Sequence, residues 1–367
     1  MTILFDHQIF STQIYGGVSR YFSELMKNFK NDNEIEYELS LRYSNNHYLK
    51  QFDNLPCKPF FENSTFRGKH RLLDFLNERI SKKIISKGDY DVFHPTYYDP
   101  YFLNFLNNKP FVLTVYDMIH EIYPEMFLSK DKITERKKLL AQKATKIIAI
   151  SKSTKRDIIR FFGIDENKIE VIYLGNSLNI SKSDDALNIE LPEKHILFVG
   201  NRGGYKNFDL FIKAITPLLL EDAELSVVCV GDGKFDDIEI EKFKSLNIKD
   251  KVFQYSVSDN ILAYLYQRAI VFVFPSLYEG FGIPILESFV CGCPVLVGEV
   301  SSLPEIAGDA GVYFDPTNIV SIYDTVKRII YDKELRKSLK LKGFQRVKNF
   351  SWEKTAEKTK SLYESII

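Results

Sequence analysis

The segment Val271–Phe289, VFVFPSLYEGFGIPILESF, holds the residues whose types and spacing suggest the most specific chemistry. Two carboxylates, Glu279 and Glu287, lie eight positions apart, with Gly280 and Gly282 following the first. The glycines leave backbone amides uncovered, and a proline then suits the first turn of a helix. Exposed amides at a helix N-terminus attract an anion such as a diphosphate, and a carboxylate can accept hydrogen bonds from two neighbouring hydroxyls. The segment therefore predicts a nucleotide-sugar site, with one carboxylate near the transferred sugar and one near the ribose.

A second loop, FVGNRGGYK at residues 198–206, places Arg202 and Lys206 four positions apart where a helix should begin. A departing nucleoside diphosphate gathers negative charge, and cations held in place beforehand stabilise it. Two such cations could stabilise a leaving diphosphate. Taken alone, the loop could equally be a solvated basic surface.

A third junction, at Gly16-Gly17, follows the first predicted strand and opens a helix. Its amides could face the donor phosphate, although tight turns use the same residues. The sequence contains neither GxGxxG nor GxxxxGK[ST], which disfavours a dinucleotide oxidoreductase and a P-loop enzyme.

Asp117 and His120 follow another predicted strand, Phe111–Val115. Either side chain could orient an acceptor hydroxyl, because both can accept or exchange a proton. A capping aspartate and a histidine satisfied by its neighbours are equally good interpretations. Both residues are therefore candidates only.

Two series of short apolar runs alternate with amphipathic helical patterns. The first series of predicted strands is Thr2–Asp6, Tyr37–Arg42, Val92–His94, Phe111–Val115, Lys146–Ile150 and Ile169–Ile172. The second is His195–Val199, Glu224–Val230, Val252–Tyr255, Val271–Phe274, Pro294–Val297 and Gly311–Tyr313. Continuous apolar strands separated by helices are typical of parallel sheets that helices cover on both faces. The sequence thus predicts an α/β protein with two doubly wound domains, as its 367 residues also favour.

Composition excludes several classes of function. Lys plus Arg number 49 and Asp plus Glu number 49, so no excess of positive charge points to a nucleic-acid partner. Cys57, Cys229, Cys291 and Cys293 lack the spacing of a zinc site or a disulfide framework. No signal peptide and no apolar run of about eighteen residues is present, so we expect a cytoplasmic protein.

The segment Arg67–Lys87 carries seven basic residues interleaved with leucine, isoleucine and phenylalanine. It could lie on the anionic inner membrane, where a lipid-linked acceptor would be found. It could also be a helix that packs on the first sheet and exposes a basic face. Both interpretations stay open.

The glutamate segment resembles the E-x7-E motif of family 4 of the retaining glycosyltransferases, which have the GT-B fold. The similarity continues through PSLYEGFG, LE, GCPV, SLPE and GDA, and covers nearly the whole chain from the early Gly-Gly turn to the last helix. It implies two Rossmann-like domains that face a central cleft. The implied boundaries are 1–178 for an acceptor domain, 179–192 for a linker, 193–349 for a donor domain and 350–367 for a helix that returns to the first domain.

The resemblance also implies roles for individual residues. Glu279 would contact hydroxyls of the donor sugar, Glu287 the ribose, and Arg202 with Lys206 the diphosphate. The implied donor-binding set is Gly16, Gly17, Gly280, Phe281, Gly282, Ile283 and Glu287. The loop with Asp117 and His120 resembles the family's T-x-H-D loop near the acceptor. It departs from the family pattern by carrying Tyr116 where many members have histidine, which puts a histidine role in doubt.

The expected activity is transfer of a hexose with retention of configuration, without a metal or other cofactor. We expect a GDP- or UDP-hexose as donor, with mannose as the first choice, and a glycan or lipid-linked glycan as acceptor. The expected setting is synthesis of a bacterial surface polysaccharide such as an O-antigen. An epimerase of the same architecture and an inactive glycan-binding scaffold are the alternatives.

Overall fold

The computed structural model describes residues 1–52, 57–62, 64–128, 131–178 and 190–367. Contacts within the chain divide it into two units. Unit 1 comprises Met1–Leu174 together with Trp352–Ile367, and unit 2 comprises Gly175–Ser351. Most of the predicted linker, residues 179–189, lies outside the described residues.

Unit 1 contains six parallel strands within its described ranges. They are β1 Thr2–Phe5, β2 Glu36–Leu39, β3 Val92–His94, β4 Val112–Val115, β5 Lys146–Ala149 and β6 Ile169–Val171. The strands are ordered β2-β1-β3 and β4-β5-β6, and a bridge between Phe93 and Phe111 joins the two groups. The central strands are buried because helices lie on the faces of the sheet.

The helices of unit 1 follow the strands in the doubly wound manner. They are α1 Gln8–Thr12, α2 Gly17–Phe29, α3 Lys69–Lys87, α4 Ile119–Ile122, α5 Ile133–Lys143 and α6 Lys152–Phe162. In α3, Leu73, Asn77, Ser81 and Ile85 form the buried face, each four residues after the last.

Unit 2 contains a six-stranded parallel sheet. Its strands are β7 Lys194–Val199, β8 Leu225–Val230, β9 Val252–Tyr255, β10 Val271–Phe274, β11 Val295–Gly298 and β12 Gly311–Phe314. The order is β12-β11-β10-β7-β8-β9, so the winding direction reverses between β7 and β10. Ligands of such sheets bind outside the carboxyl ends of the strands at this reversal. The predicted donor residues of unit 2 lie in the loops after β7 and β10 and in the helix that follows β10.

Helices pack against both faces of the second sheet. They are α7 Phe208–Glu221, α8 Asp237–Ser245, α9 Asp259–Arg268, α10 Ile283–Val290, α11 Leu303–Ala307, α12 Ile319–Tyr331 and α13 Lys333–Arg346. The core between α7, α12 and the strands is made of phenylalanine, isoleucine, leucine and valine side chains.

The last helix, α14 Trp352–Glu364, belongs to unit 1 and packs against α2. The hydroxyl of Thr355 donates to the carbonyl of Tyr173 at 2.7 Å, and the hydroxyl of Tyr363 lies 2.6 Å from Nδ1 of His94. The chain therefore returns to its first unit through buried polar contacts as well as apolar packing.

Candidate functional site

The junction between β10 and α10 has the local structure that its sequence predicts. The four residues of β10 are buried, and the chain then turns at Gly282, which caps α10 with a φ of 108°. A Cβ at this position would lie 3.0 Å from Cδ1 of Ile285 and 3.2 Å from Cδ2 of Leu303. Positive φ and close packing together require glycine here. The first turn of α10 thus follows the loop directly, and the N-terminal end of the helix lies at the loop.

The loop between Pro275 and Gly282 is held by side chains from the neighbouring β11–α11 junction. The backbone N–H of Glu279 donates to Oγ of Ser301 at 2.9 Å. The hydroxyl of Ser302 donates to the carbonyls of Glu279 and Phe281, each at 2.9 Å. Because both sides of Glu279 are fixed by hydrogen bonds, its carboxylate is presented in one position.

Lys206 and Glu279 are brought together although 73 residues separate them in the chain. The Nζ of Lys206 lies 2.6 Å from Oε1 of Glu279, and both side chains are mostly buried, 17% and 12% exposed. The ammonium also lies 5.0 Å from the ring centroid of Tyr205 and 5.3 Å from that of Phe274. Burial and the aromatic rings weaken screening by water, so this pair is stronger than one on the surface.

The loop that carries Lys206 is tied to the Glu279 loop through its backbone. The N–H of Leu277 donates to the carbonyl of Tyr205 at 2.8 Å. Asn207 adopts a left-handed conformation with φ of 59°, and its side-chain amide donates to the carbonyls of Pro275 and Pro316. The loops after β7, β10 and β12 therefore form one hydrogen-bonded assembly around the ion pair.

Glu287 lies on α10 and is 6% exposed. The hydroxyl of Tyr266, on α9, donates to its Oε2 at 3.3 Å. Burial, followed by the charge of Glu287, raises the pKa of Tyr266 well above its usual range, so that the phenol stays a donor. A carboxylate has two oxygens with several acceptor positions, so Glu287 could accept from a hydroxyl of a ribose as well as from Tyr266.

The other predicted donor residues of this loop have no polar side chain, so only their backbone could contact a phosphate. Gly280 is buried, and the ring of Phe281 packs edge-on against Phe350 with centroids 6.0 Å apart. Ile283 is half-buried as the first residue of α10. The side chain of Phe281 anchors the loop, which leaves only its main chain as a ligand-binding group.

The structure gives Arg202 partners that the sequence did not predict. All five N–H groups of its guanidinium are used within the protein: Glu239 accepts two of them, at 2.6 and 3.1 Å, and three carbonyls accept the others. Those carbonyls belong to Gly231, Gly233 and Lys234. Arg202 is buried and joins the β8–α8 loop to the first turn of α8, whereas Lys206 contacts Glu279. Arg202 and Lys206, which were predicted to bind the same diphosphate, thus contact two different carboxylates in this structure.

In unit 1, Gly16 and Gly17 open α2 as predicted. Gly16 has an extended φ of 166°, and a Cβ there would lie 2.2 Å from Oε1 of Gln13, so a larger residue would displace the end of the Gln13 side chain. The same oxygen accepts the N–H of Ser19 at 3.2 Å. Gln13 thus occupies part of the N-terminus of α2 that the sequence suggested for a phosphate.

Asp117 and His120 lie in the segment that follows β4, but their surroundings differ. The carboxylate of Asp117 is 39% exposed and accepts the N–H of Ile119 at 3.1 Å. The ring of His120 stacks on Phe127 at 3.8 Å, and its Nε2 lies 3.4 Å from Asp131. Asp117 is the more accessible of the two, whereas His120 is mostly buried and its Nδ1 has no hydrogen-bond partner among the described residues.

Sequence reasoning missed two buried charged residues beside these loops. The carboxylate of Asp6, fully buried at the end of β1, accepts the N–H and the hydroxyl of Thr96 at 2.8 and 2.6 Å. The ammonium of Lys137, also fully buried, donates to the carbonyl of Asp117 and to Oε2 of Glu121, both at 3.0 Å. Asp6 could have been found as a charge directly after a strand. Lys137 could not, because it belongs to a run of charged residues on a helix.

Within the described ranges, no three His, Cys, Asp or Glu side chains are grouped so that they could hold a metal ion. Within the same ranges, every helix is too short or too polar to span a bilayer.

Comparison with known proteins gives matches over nearly the whole chain. Residues 15–179 match the model for Glycosyltransferase Family 4, and residues 179–346 match that for Glycosyl transferases group 1. The chain is 28% identical over 375 residues to O-antigen chain mannosyltransferase B of Escherichia coli, which covers 95% of this chain and 96% of that protein.

Two further similarities concern a transferase and a solved structure. The N-acetylgalactosamine-N,N'-diacetylbacillosaminyl-diphospho-undecaprenol 4-alpha-N-acetylgalactosaminyltransferase of Campylobacter jejuni is 31% identical over 221 residues, 59% of this chain and 60% of that protein. The structure of Anabaena Alr3699/HepE in complex with UDP and glucose superposes with a TM-score of 0.76 at 17% identity and covers 100% of both chains.

Proposed function

Because the chain belongs to the group 1 and family 4 glycosyltransferases and has their GT-B fold, we propose that it transfers a hexose from a nucleotide-sugar with retention of configuration. The observation that carries this proposal is the Lys206–Glu279 pair beside the glycine-capped start of α10. A cation, a carboxylate and the N-terminus of a helix at the carboxyl ends of β7 and β10 suit a sugar linked to a diphosphate.

Each group of unit 2 then has a separate task. Glu279 accepts hydrogen bonds from the donor sugar, and Glu287, kept in place by Tyr266, accepts them from the ribose. The amides from Gly280 to Ile283 and the ammonium of Lys206 bind the diphosphate. These groups stabilise most strongly the charge that develops as the diphosphate leaves.

The chemical step exchanges one bond of the anomeric carbon for another and moves one proton. The bond between the anomeric carbon and the phosphate oxygen breaks first, and the electron pair stays on the nucleoside diphosphate. The acceptor hydroxyl attacks the resulting oxocarbenium-like sugar from the same face, and its proton passes to the departing phosphate oxygen. No protein nucleophile, metal or other cofactor is required.

The choice of sugar and base rests on relatives. The Escherichia coli relative is named as a mannosyltransferase, which supports mannose and hence GDP-mannose as the first donor to test. The Anabaena structure contains UDP and glucose, which supports a UDP-hexose as the second. The relative from Campylobacter jejuni, whose name specifies a diphospho-undecaprenol glycan, supports a lipid-linked acceptor.

A lipid-linked acceptor would bring unit 1 to the inner membrane on its cytoplasmic side. Helix α3 exposes Arg71, Leu72, Phe75 and Arg79 on the side opposite its buried stripe, and Phe61 and Phe66 are exposed just before it. Exposed aromatic and basic side chains together favour an anionic bilayer surface. Flotation with anionic vesicles tests this contact: we expect binding at low salt that Phe75→Ser weakens, and no binding at low salt would refute it.

The transfer itself is tested with labelled GDP-mannose, UDP-glucose, UDP-galactose and UDP-N-acetylgalactosamine and a lipid-linked glycan extract. The proposal expects one donor to be used, an α-linked product by NMR, and full activity after dialysis against EDTA. Activity that EDTA abolishes would overturn the metal-free mechanism. Nucleotide binding without transfer to any acceptor would favour the inactive scaffold.

A further inference from the structure

Unit 1 contains a cavity of about 380 Å³, lined by both apolar and polar side chains, and none of them belongs to the residues proposed above for transfer. It lies between the α1–α2 connection, the segment after β2 and the start of α3. Its volume is within the range of sites that bind small molecules.

Tyr15 stands at this cavity and is 64% exposed. Its ring stacks on that of His47, with centroids 4.7 Å apart and planes 28° apart, and it meets the edge of Tyr48. Neither the hydroxyl of Tyr15 nor the ring nitrogens of His47 bond to another described residue. An exposed aromatic ring held in a fixed orientation, with free polar groups beside it, is a surface built for a ligand with both apolar and hydroxylated faces.

The wall of the cavity is rigid. The amide of Asn46 donates to the carbonyl of Gln13 at 2.7 Å, and its oxygen accepts the N–H of Tyr48 at 3.0 Å. The side chain of Asn45 donates to the carbonyl of Phe60 and accepts the N–H of the same residue. Binding at such a wall requires little ordering, which favours affinity.

The charges of the cavity are compensated within it. Nζ of Lys50 lies 3.2 Å from Oε1 of Glu62, and Nζ of Lys69 donates to the carbonyls of Phe61 and Ser64 at 2.8 and 2.9 Å. Because both ammonium groups already have acceptors, the cavity favours a neutral ligand over a phosphate, and an ammonium with three donors can still donate to a ligand hydroxyl.

We propose that this cavity binds a neutral pyranose ring of the acceptor glycan, which stacks on Tyr15. The inference rests on the proposed glycosyl transfer and adds a subsite to it. Hydroxyls of the ring would bond to free groups beside Tyr15 and to the Lys50–Glu62 pair, which offers both a donor and an acceptor. The cavity would then make the enzyme selective for acceptors by recognising the sugar that neighbours the one whose hydroxyl reacts.

The test measures binding of methyl α-hexosides and hexose disaccharides to the full chain by saturation-transfer NMR and calorimetry. We expect at least one disaccharide to bind, about tenfold more weakly in Tyr15→Ala and nearly unchanged in Tyr15→Phe. The matched control is Tyr331→Ala, which removes a tyrosine that is 54% exposed on unit 2. Because Tyr15 is exposed, its substitution leaves the core intact, and melting curves check this.

Nucleotide binding is measured on the same variants so that the two proposals fail separately. If the wild type binds no nucleotide, the transferase proposal is contradicted. If it binds a nucleotide but no sugar, the proposal of a sugar subsite is overturned. Equal sugar affinity in Tyr15→Ala and the wild type also overturns it. If inorganic pyrophosphate competes with the disaccharide and its binding depends on Lys50, the cavity is a phosphate site and the proposal of a neutral ring is wrong.

Discussion

The ammonium of Lys206 lies 2.6 Å from the carboxylate of Glu279, across two loops that are also bonded through Leu277 and Asn207. One member of the pair suits a diphosphate and the other suits sugar hydroxyls. A donor that binds here would engage both groups at once. The pair therefore holds each side chain in position before the donor arrives, which lowers the reorganisation needed during the reaction.

The first prediction concerns Lys206. Lys206→Ala should lower kcat by about 100-fold while donor affinity falls by only about threefold, because the charge it compensates is largest in the transition state. Steady-state kinetics and calorimetric donor titration separate the two effects. Lys213→Ala, on the exposed face of α7, is the matched control and should change neither. Equal losses in kcat and affinity would contradict a transition-state role.

The second prediction concerns Arg202, whose guanidinium donates hydrogen bonds to Glu239 and to a carbonyl of the β8–α8 loop. Arg202→Ala should destabilise unit 2 by about 3 kcal/mol, since it leaves Glu239 and three carbonyls without their donor. Denaturant titrations of Arg202→Ala, Glu239→Gln and the double variant should show losses that do not add. At a temperature where the fold is intact, kcat should stay near the wild-type value. A loss of kcat as large as that in Lys206→Ala, with stability unchanged, would restore Arg202 as a diphosphate ligand.

The third prediction concerns pH and unit 1. Burial lowers the pKa of His94 to about 3, against an ordinary value near 6.5 when the chain is unfolded. The unfolded chain therefore binds the extra proton first, so stability is complete above pH 6.5 and declines as the pH falls towards 3. Between pH 6.5 and 5 the loss should be about 2 kcal/mol.

Trp352, the one tryptophan of the sequence, belongs to unit 1 and reports its unfolding by fluorescence. Urea titrations at several pH values should show the decline in the wild type and a flatter profile in His94→Gln. Parallel profiles in the two proteins would show that another group causes the pH dependence.

The fourth prediction separates the two acceptor candidates. Asp117→Asn should lower kcat/KM for the acceptor by about tenfold or more, because it removes an accessible charge that can orient a hydroxyl. His120→Ala should mainly reduce stability, since the ring is stacked on Phe127. Initial rates at varied acceptor concentration measure both, with Asp89→Asn as a control at an exposed site on unit 1. A larger kinetic effect at His120 than at Asp117 would reverse the assignment.

The strands were predictable because each is a continuous buried run, and parallel sheets give this pattern strongly. Val92–His94, Val252–Tyr255 and Val271–Phe274 agree with the predicted bounds, and the other strands differ by one to three residues at an end. Strand ends depend on hydrogen bonds to partners that are distant in sequence, so composition alone places them poorly.

The candidate site was predictable only in part. Gly282 could be found because positive φ and tight packing leave a clear sequence signal. The partner of Arg202 could not be predicted, because the position of Glu239 indicates a capping residue at the start of α8. Glu239 fills that role as well. Likewise, nothing in the local sequence around Gln13 indicates that its side-chain oxygen accepts the N–H of Ser19 in the first turn of α2.

The measurement that tests the central claim most directly is thermal unfolding of the purified protein with UDP, GDP, dTDP and ADP. A ligand that binds only the folded state stabilises it by about 2.7 kcal/mol at a concentration one hundred times Kd. We predict stabilisation by one of these nucleotides, lost in Glu287→Ala and kept in Glu221→Ala, an exposed control on unit 2. Unfolding midpoints that no nucleotide shifts, or a shift that survives Glu287→Ala, would contradict the proposed donor site.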